Sequence, residues 1–276
     1  MALLRLLLIA GLMCIATPVW AQAGEGTPIV IGQSQRLASR ALGTERVLNV
    51  WTPPSYAEGD RRYPVIYLLD GGLAQDFQHI AGLAQLGALS WLTQEFIVVG
   101  VETTDRRREL AFPVEREAEL RRQYPTAGES AAFRRYLTEE AKPFVEARYR
   151  TSGEDVLLGE SLAGLFVVET YLRQPDAFET YIAMDPSLWW DAGRLTEEAA
   201  ALLARHGPER RRLWLSIGRE TSEQSVHVDR LVAALRARPA GTLDFRYEPR
   251  PNLTHATIYH PTTWEALQAL YPRPAE

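Results

Sequence analysis

Asp155-Val156-Leu157-Leu158-Gly159-Glu160-Ser161-Leu162-Ala163-Gly164 narrows the folding possibilities more than any other stretch of this chain. A short apolar run ends at Gly159, one residue separates it from Ser161, and small residues follow. Leu165-Phe166-Val167-Val168-Glu169-Thr170-Tyr171-Leu172 then continues with helical spacing. A strand turning sharply into a helix reads this way, with the serine hydroxyl lifted to the head of the helix. Gly159, Ala163 and Gly164 let the turn tighten and bring the helix close to the strand. Ala163 stands where a G-x-S-x-G turn carries its second glycine, and it keeps the requirement for a small side chain. The plain alternative is an ordinary helix start capped by Ser161.

The rest of the chain repeats the alternation of strand and helix. Arg46–Trp51 alternates polar with apolar, as a strand with one buried face does. Tyr63–Leu69 and Phe96–Val101 are nearly continuous apolar runs, suited to the middle of a sheet covered on both faces. An edge strand is expected near Ile29-Val30-Ile31. Helices are expected over Asp76–Leu86, Ala131–Tyr149, Leu195–Arg205, Val226–Arg236 and from His260 onward, with Pro143 kinking or closing the second of these. Further strands fall at Tyr181–Met184, Arg212–Ile217 and Leu243–Glu248. Leu110–Ser130 is charged and irregular, and reads as a long surface excursion. The pattern predicts an α/β fold, a three-layer sandwich with a mainly parallel central sheet. Neither an internal repeat nor a low-complexity linker interrupts it, so a single domain over 22–276 is expected.

The first residues predict an export signal over 1–21. Arg5 precedes an apolar run from Leu6 to Ile15, and Val19-Trp20-Ala21 offers a cleavage site. The run is short for a membrane span, so no stable membrane insertion is expected once it is removed. Cys14 is the chain's one cysteine and lies inside the signal, which excludes disulfides and thiolate chemistry from the remainder. A net charge of -5 argues against nucleic-acid partners. The mature chain is thus expected to be periplasmic or secreted.

In an open α/β sheet, ligands collect outside the carboxyl ends of the strands. Ser161, Glu220 and His255 each follow a strand, in the order nucleophile, acid, base. A serine hydroxyl attacks only when an imidazole takes its proton, and a carboxylate holds that imidazole in the useful tautomer. His255 is the expected base, with His260 its rival but better placed as a helix-start residue. Glu220 is the favoured acid, and Asp185, also just past a strand, is the alternative. Acyl transfer needs donors aimed at the developing oxyanion. The N–H of Leu162 is one, and Gly72, or its neighbours Gly71 and Leu73, the other. Trp189 and Trp190 cannot easily both face the core, so one is expected to wall a pocket. Arg106, with Arg107 and Arg108, follows a strand and could clamp an anionic substrate, unless the three form a solvated surface run.

The chain resembles the Putative esterase branch of the α/β hydrolases, which includes esterase D-like enzymes, feruloyl esterases and periplasmic catecholate-siderophore esterases. The resemblance runs from about Arg46 to Tyr271. It rests on Val50-Trp51-Thr52-Pro53-Pro54-Ser55-Tyr56, Tyr67-Leu68-Leu69-Asp70-Gly71, Gly159–Gly164 and Pro186-Ser187-Leu188-Trp189-Trp190. It implies Ser161 as nucleophile, His255 as base and Glu220 as third member, although some siderophore esterases of the branch look dyad-like. Val101-Glu102-Thr103-Thr104-Asp105-Arg106 is most similar to those siderophore enzymes. The expected activity is hydrolysis of a small ester, anionic or aromatic, such as a siderophore lactone, with a feruloyl, acetyl or other acyl ester as the alternative. A non-catalytic binding protein on a hydrolase shell is the competing class. Neither a metal nor an organic cofactor is implied.

Overall fold

Among the described residues, eight strands form one sheet in the order β1-β2-β4-β3-β5-β6-β7-β8. They are β1 (Gln33–Ser39), β2 (Thr44–Trp51), β3 (Tyr63–Leu69), β4 (Ile97–Val101), β5 (Thr151–Glu160), β6 (Thr180–Met184), β7 (Arg211–Ile217) and β8 (Leu243–Pro249). β1 pairs antiparallel with β2, and β2 with β4; every other pairing is parallel. The computed structural model describes residues 27–208, 210–219, 222–239 and 241–274. The expected export signal, 1–21, lies outside them. The body of the structure begins at Ile31.

The alternation of side chains along the strands divides the core in two. Tyr67, Val99, Leu157, Tyr181 and Leu213 point to one face and pack with the helices α6 (Leu162–Arg173), α7 (Trp190–Leu203) and α8 (Ser222–Arg236). Ile66, Leu68, Val98, Val156, Leu158 and Ile182 point to the other and meet α1 (Phe77–Leu89) and α9 (His255–Leu270). These are the three layers the sequence predicts. α6 is buried over almost its whole length, which explains an apolar composition too rich for a one-sided helix.

Several local expectations are corrected. Ile29, Val30 and Ile31 are exposed and lie outside any strand. The edge strand is the more polar β1, which is held by pairing with β2 rather than by burial. The stretch after β4 is not a purely surface excursion. It contains α2 (Arg106–Leu110) and α3 (Ala118–Gln123), and Leu110, Ala111, Phe112 and Val114 join the core. Asp191 fastens it from across the chain: its buried Oδ1 accepts N–H bonds from Glu115, Arg116 and Glu117.

The helix expected over 131–149 is α4 (Ser130–Arg135), a wider π-helical turn over Tyr136–Ala141, and α5 (Lys142–Glu146), with Pro143 in the first turn of α5. The final helix starts at His255, five residues before the expected His260. Thr254 and Thr257 form a reciprocal capping box there, and Pro261, which suggests a first turn, sits inside the helix. The chain's single lysine, Lys142, is a core fixture: its ammonium meets Asp155 at 2.8 Å and the Ala177 carbonyl at 2.7 Å.

Candidate active site

β5 enters α6 through Ser161, whose backbone lies at φ 61°, ψ −119°. A residue with a side chain adopts this conformation only when its surroundings impose it. Here the Ser161 N–H donates to Met184 O at 3.0 Å, while its carbonyl accepts from Leu165 N at 2.8 Å and Ser187 N at 3.0 Å. The turn is tight enough that a Cβ on Gly159 would meet Ala163 at 2.7 Å. Ala163 is tolerated because its partner across the turn is glycine. The Ser161 hydroxyl lies 3.4 Å from the Ser187 hydroxyl and makes no hydrogen bond to His255 in this structure.

His255 is the first residue of α9, reached from the end of β8, and its side chain is more than half exposed. Its Nδ1 lies 2.6 Å from Oδ2 of Asp185, which follows β6. Asp185 is itself fixed: its N–H donates to Ser216 O at 2.7 Å, and its Oδ1 accepts from Gly218 N at 2.9 Å. With Nδ1 donating to the carboxylate, Nε2 carries the basic lone pair. The hydrogen bond to Asp185 raises the His255 pKa above the ordinary 6.5; burial opposes it, while the negative charges of Asp185 and Glu160 add to it. Glu220, the favoured acid, lies outside the described residues. Among the described residues, the carboxylate that meets His255 is that of Asp185.

Glu160, beside the serine, is pushed up to about 7 by burial, with Asp76 and Asp185 acting in the same direction and His255 and Arg106 against it. A carboxyl whose pKa is raised by burial thus neighbours the elbow. Its side chain sits in the quoted motif, yet its role depends on burial that spacing does not reveal.

β3 ends in Asp70 and two glycines. Gly71 crosses β4 so closely that a Cβ would lie 2.3 Å from Gly100 Cα, and its N–H is spent on Val101 O at 2.9 Å. The Gly72 N–H points elsewhere and donates to the Gln75 side-chain oxygen at 2.8 Å. Gln75 is anchored in turn by donating to Thr103 O at 3.2 Å and Thr103 Oγ1 at 3.0 Å. Leu162 opens α6, where a backbone N–H has no intrahelical acceptor. A cleft of about 370 Å³ lies beside Gly72, lined also by Asn49, Leu73, Gln75 and Glu102.

The arginine run divides three ways. Arg106 Nε donates to Asp70 Oδ2 at 2.6 Å and its Nη2 to the Glu160 carbonyl at 3.3 Å. Arg107 lies over the Tyr124 ring, and Arg108 pairs with Glu129. The two tryptophans also part. Trp190 is 1% exposed and donates Nε1–H to Phe112 O, whereas Trp189 is 40% exposed. Of the pair, Trp189 alone has surface to offer a ligand. Ser187 and Gln75 were not singled out from the sequence. Neither has a spacing signal, because each reaches its partner through tertiary folding.

Residues 39–266 match the family model described as Putative esterase. Ferri-bacillibactin esterase BesA of Bacillus subtilis is 33% identical over 154 residues, covering 51% of this chain and 52% of that protein. The match thus spans about half the length of that relative. Among solved structures, an IroE-like serine hydrolase from Shewanella oneidensis superposes with a TM-score of 0.77 at 26% identity, over 87% of this chain and 80% of its own. The BES protein from Bacillus cereus shares the fold with a TM-score of 0.77 at 23% identity, over 90% of this chain and 98% of its own.

Proposed function

Because the chain belongs to the Putative esterase family of α/β hydrolases, we propose that it is an exported serine esterase whose substrate is the lactone of a catecholate siderophore. The observation that carries the reading is the 2.6 Å pair of His255 and Asp185, at the same strand-exit end as the strained Ser161. In this reading Ser161 Oγ attacks the ester carbonyl while His255 Nε2 takes the hydroxyl proton. Asp185 holds the ring and stabilises its charged form. The tetrahedral oxyanion is met by the N–H groups of Leu162 and Gly72, the latter once the Gln75 oxygen has moved aside. Collapse breaks the ester C–O bond, and His255 returns the proton to the departing alkoxide oxygen. Water then adds to the acyl-enzyme with His255 again as base, releasing the acid and restoring Ser161.

The name of the Bacillus subtilis relative, a ferri-bacillibactin esterase, supports the substrate class, and that of the Shewanella oneidensis structure supports a serine hydrolase. Export is supported by the charged start and short apolar run of the leader. One observation favours a second reading, a neutral aryl or acyl ester. Arg106, whose guanidinium reaches the elbow at the Glu160 carbonyl, is already engaged by that carbonyl and by Asp70. A panel of iron-bound and iron-free siderophore trilactones, feruloyl and acetyl sugars and short acyl esters, read by product mass, separates the two. Linear siderophore fragments are expected. Cleavage of simple aryl esters with intact trilactone would overturn the siderophore reading and leave the esterase reading standing.

A further inference from the structure

Three ligand-bearing side chains converge outside the Ser161, His255 and Asp185 group. Asp76 stands at the head of α1, His79 lies three residues on along that helix, and His260 comes from α9, which packs against α1. Asp76 Oδ1 is 3.3 Å from His79 Nδ1 and 3.7 Å from His260 Nε2, and the three ligand atoms all lie within 4.8 Å of one another. The two imidazoles meet edge to face with centroids 4.9 Å apart. At 3.7 Å, His260 Nε2 is too far from the carboxylate for a hydrogen bond, so hydrogen bonding alone does not account for the convergence.

The spacing suits a metal. Tetrahedral zinc with bonds of about 2.0–2.1 Å sets its ligand atoms about 3.3 Å apart. The Asp76–His79 separation of 3.3 Å already has that value, the Asp76–His260 separation of 3.7 Å needs a few tenths of an ångström of closure, and the two imidazole nitrogens must draw together from a separation within 4.8 Å. Such closure is open to half-exposed side chains on helix surfaces. The hydroxyl of Tyr259, the buried neighbour of His260 in the chain, has no hydrogen-bond partner among the described residues.

We propose that Asp76, His79 and His260 form a binding site for a divalent transition-metal cation, with Zn²⁺ its best-suited occupant. Two imidazole nitrogens and one carboxylate oxygen select the borderline cations over Mg²⁺ and Ca²⁺, which call for oxygen donors. Three protein ligands leave coordination positions for water or an incoming oxygen. The site does not depend on the esterase reading, and its test is a binding measurement.

The full chain, purified metal-free, is titrated with Zn²⁺ by calorimetry and with Co²⁺ by visible absorption, which reports ligand geometry directly. Expected are one saturable Zn²⁺ site, a tetrahedral or five-coordinate Co²⁺ spectrum, and no competition from excess Mg²⁺. H79N and H260N should each weaken Zn²⁺ binding by about tenfold or more, since even outer-shell changes cost 10- to 100-fold. Both exposed histidines can be replaced without touching the core, which guards against a folding failure of D76A. H206A should bind as wild type does, and S161A should retain the site while losing hydrolysis, which keeps this result distinct from the esterase question. Undetectable Zn²⁺ binding by folded wild type, or binding unaltered in the H79N/H260N double variant, would overturn the proposal.

Discussion

His255 can act as a base only where its Nε2 is unprotonated and its Nδ1–H is held, and the Asp185 carboxylate governs both conditions. Because the hydrogen bond to Asp185 raises the His255 pKa, the neutral base appears only above the 6.5 of an ordinary imidazole. kcat/KM is therefore expected to fall as pH drops through an inflection above 6.5. The groups that set this inflection are Asp185, Glu160 and Arg106. D185N should lower kcat by about 10³- to 10⁴-fold and move the inflection downward, whereas E220A should cost far less. A larger loss in E220A, with an unshifted profile in D185N, would return the acid role to Glu220. At this scale the sequence was legible in residue types but not in pairing. Both acids follow strands, and nothing in spacing tells which carboxylate reaches the imidazole. Asp185 is brought to the imidazole by its left-handed backbone (φ 42°) and by the Gly218 N–H, both products of tertiary folding.

The elbow is the element on which the site depends, and its strain is confined to one residue because the neighbours are small. In G159A the new methyl would meet Ala163 at 2.7 Å, so either the strand or α6 must shift. Overpacking of this kind costs about 1–3 kcal/mol. The variant is expected to melt several degrees lower and to lose hydrolysis more steeply than stability, as Ser161 leaves its position. Unchanged melting and activity would mean that the turn is looser than its geometry. The elements most legible from sequence were those governed by one strong signal. β3, β4 and the Val156–Gly159 part of β5 are apolar runs buried on both faces, and α6 carries the apolar excess of a helix enclosed by neighbours. β1 was misplaced because Gln33–Ser39 is polar and holds its place through backbone pairing, while the apolar Ile29-Val30-Ile31 lies outside any strand. The start of α9 was misplaced because Pro261 imitates a first helical turn, while the Thr254–Thr257 capping box is a weaker signal.

Across the whole molecule, one end of the parallel sheet collects the candidate site residues. The elbow leaves β5, Asp185 leaves β6, His255 follows β8, and Gly72 and Arg106 follow β3 and β4. This convergence was legible from the alternation of strand and helix alone, since parallel strands send all their exits to one side. The role of the long segment after β4 was not. Its charged surface concealed Leu110, Ala111 and Phe112, which pack into the core, and Asp191, which ties the segment down from more than seventy residues away. The central claim is that Ser161 is a nucleophile activated by His255. A fluorophosphonate probe followed by intact mass and peptide mapping tests it most directly. One adduct on Ser161 in wild type is expected, absent in S161A and formed about 10²- to 10⁴-fold more slowly in H255A. Folded wild type that takes no label, or a label that persists in S161A, would contradict it.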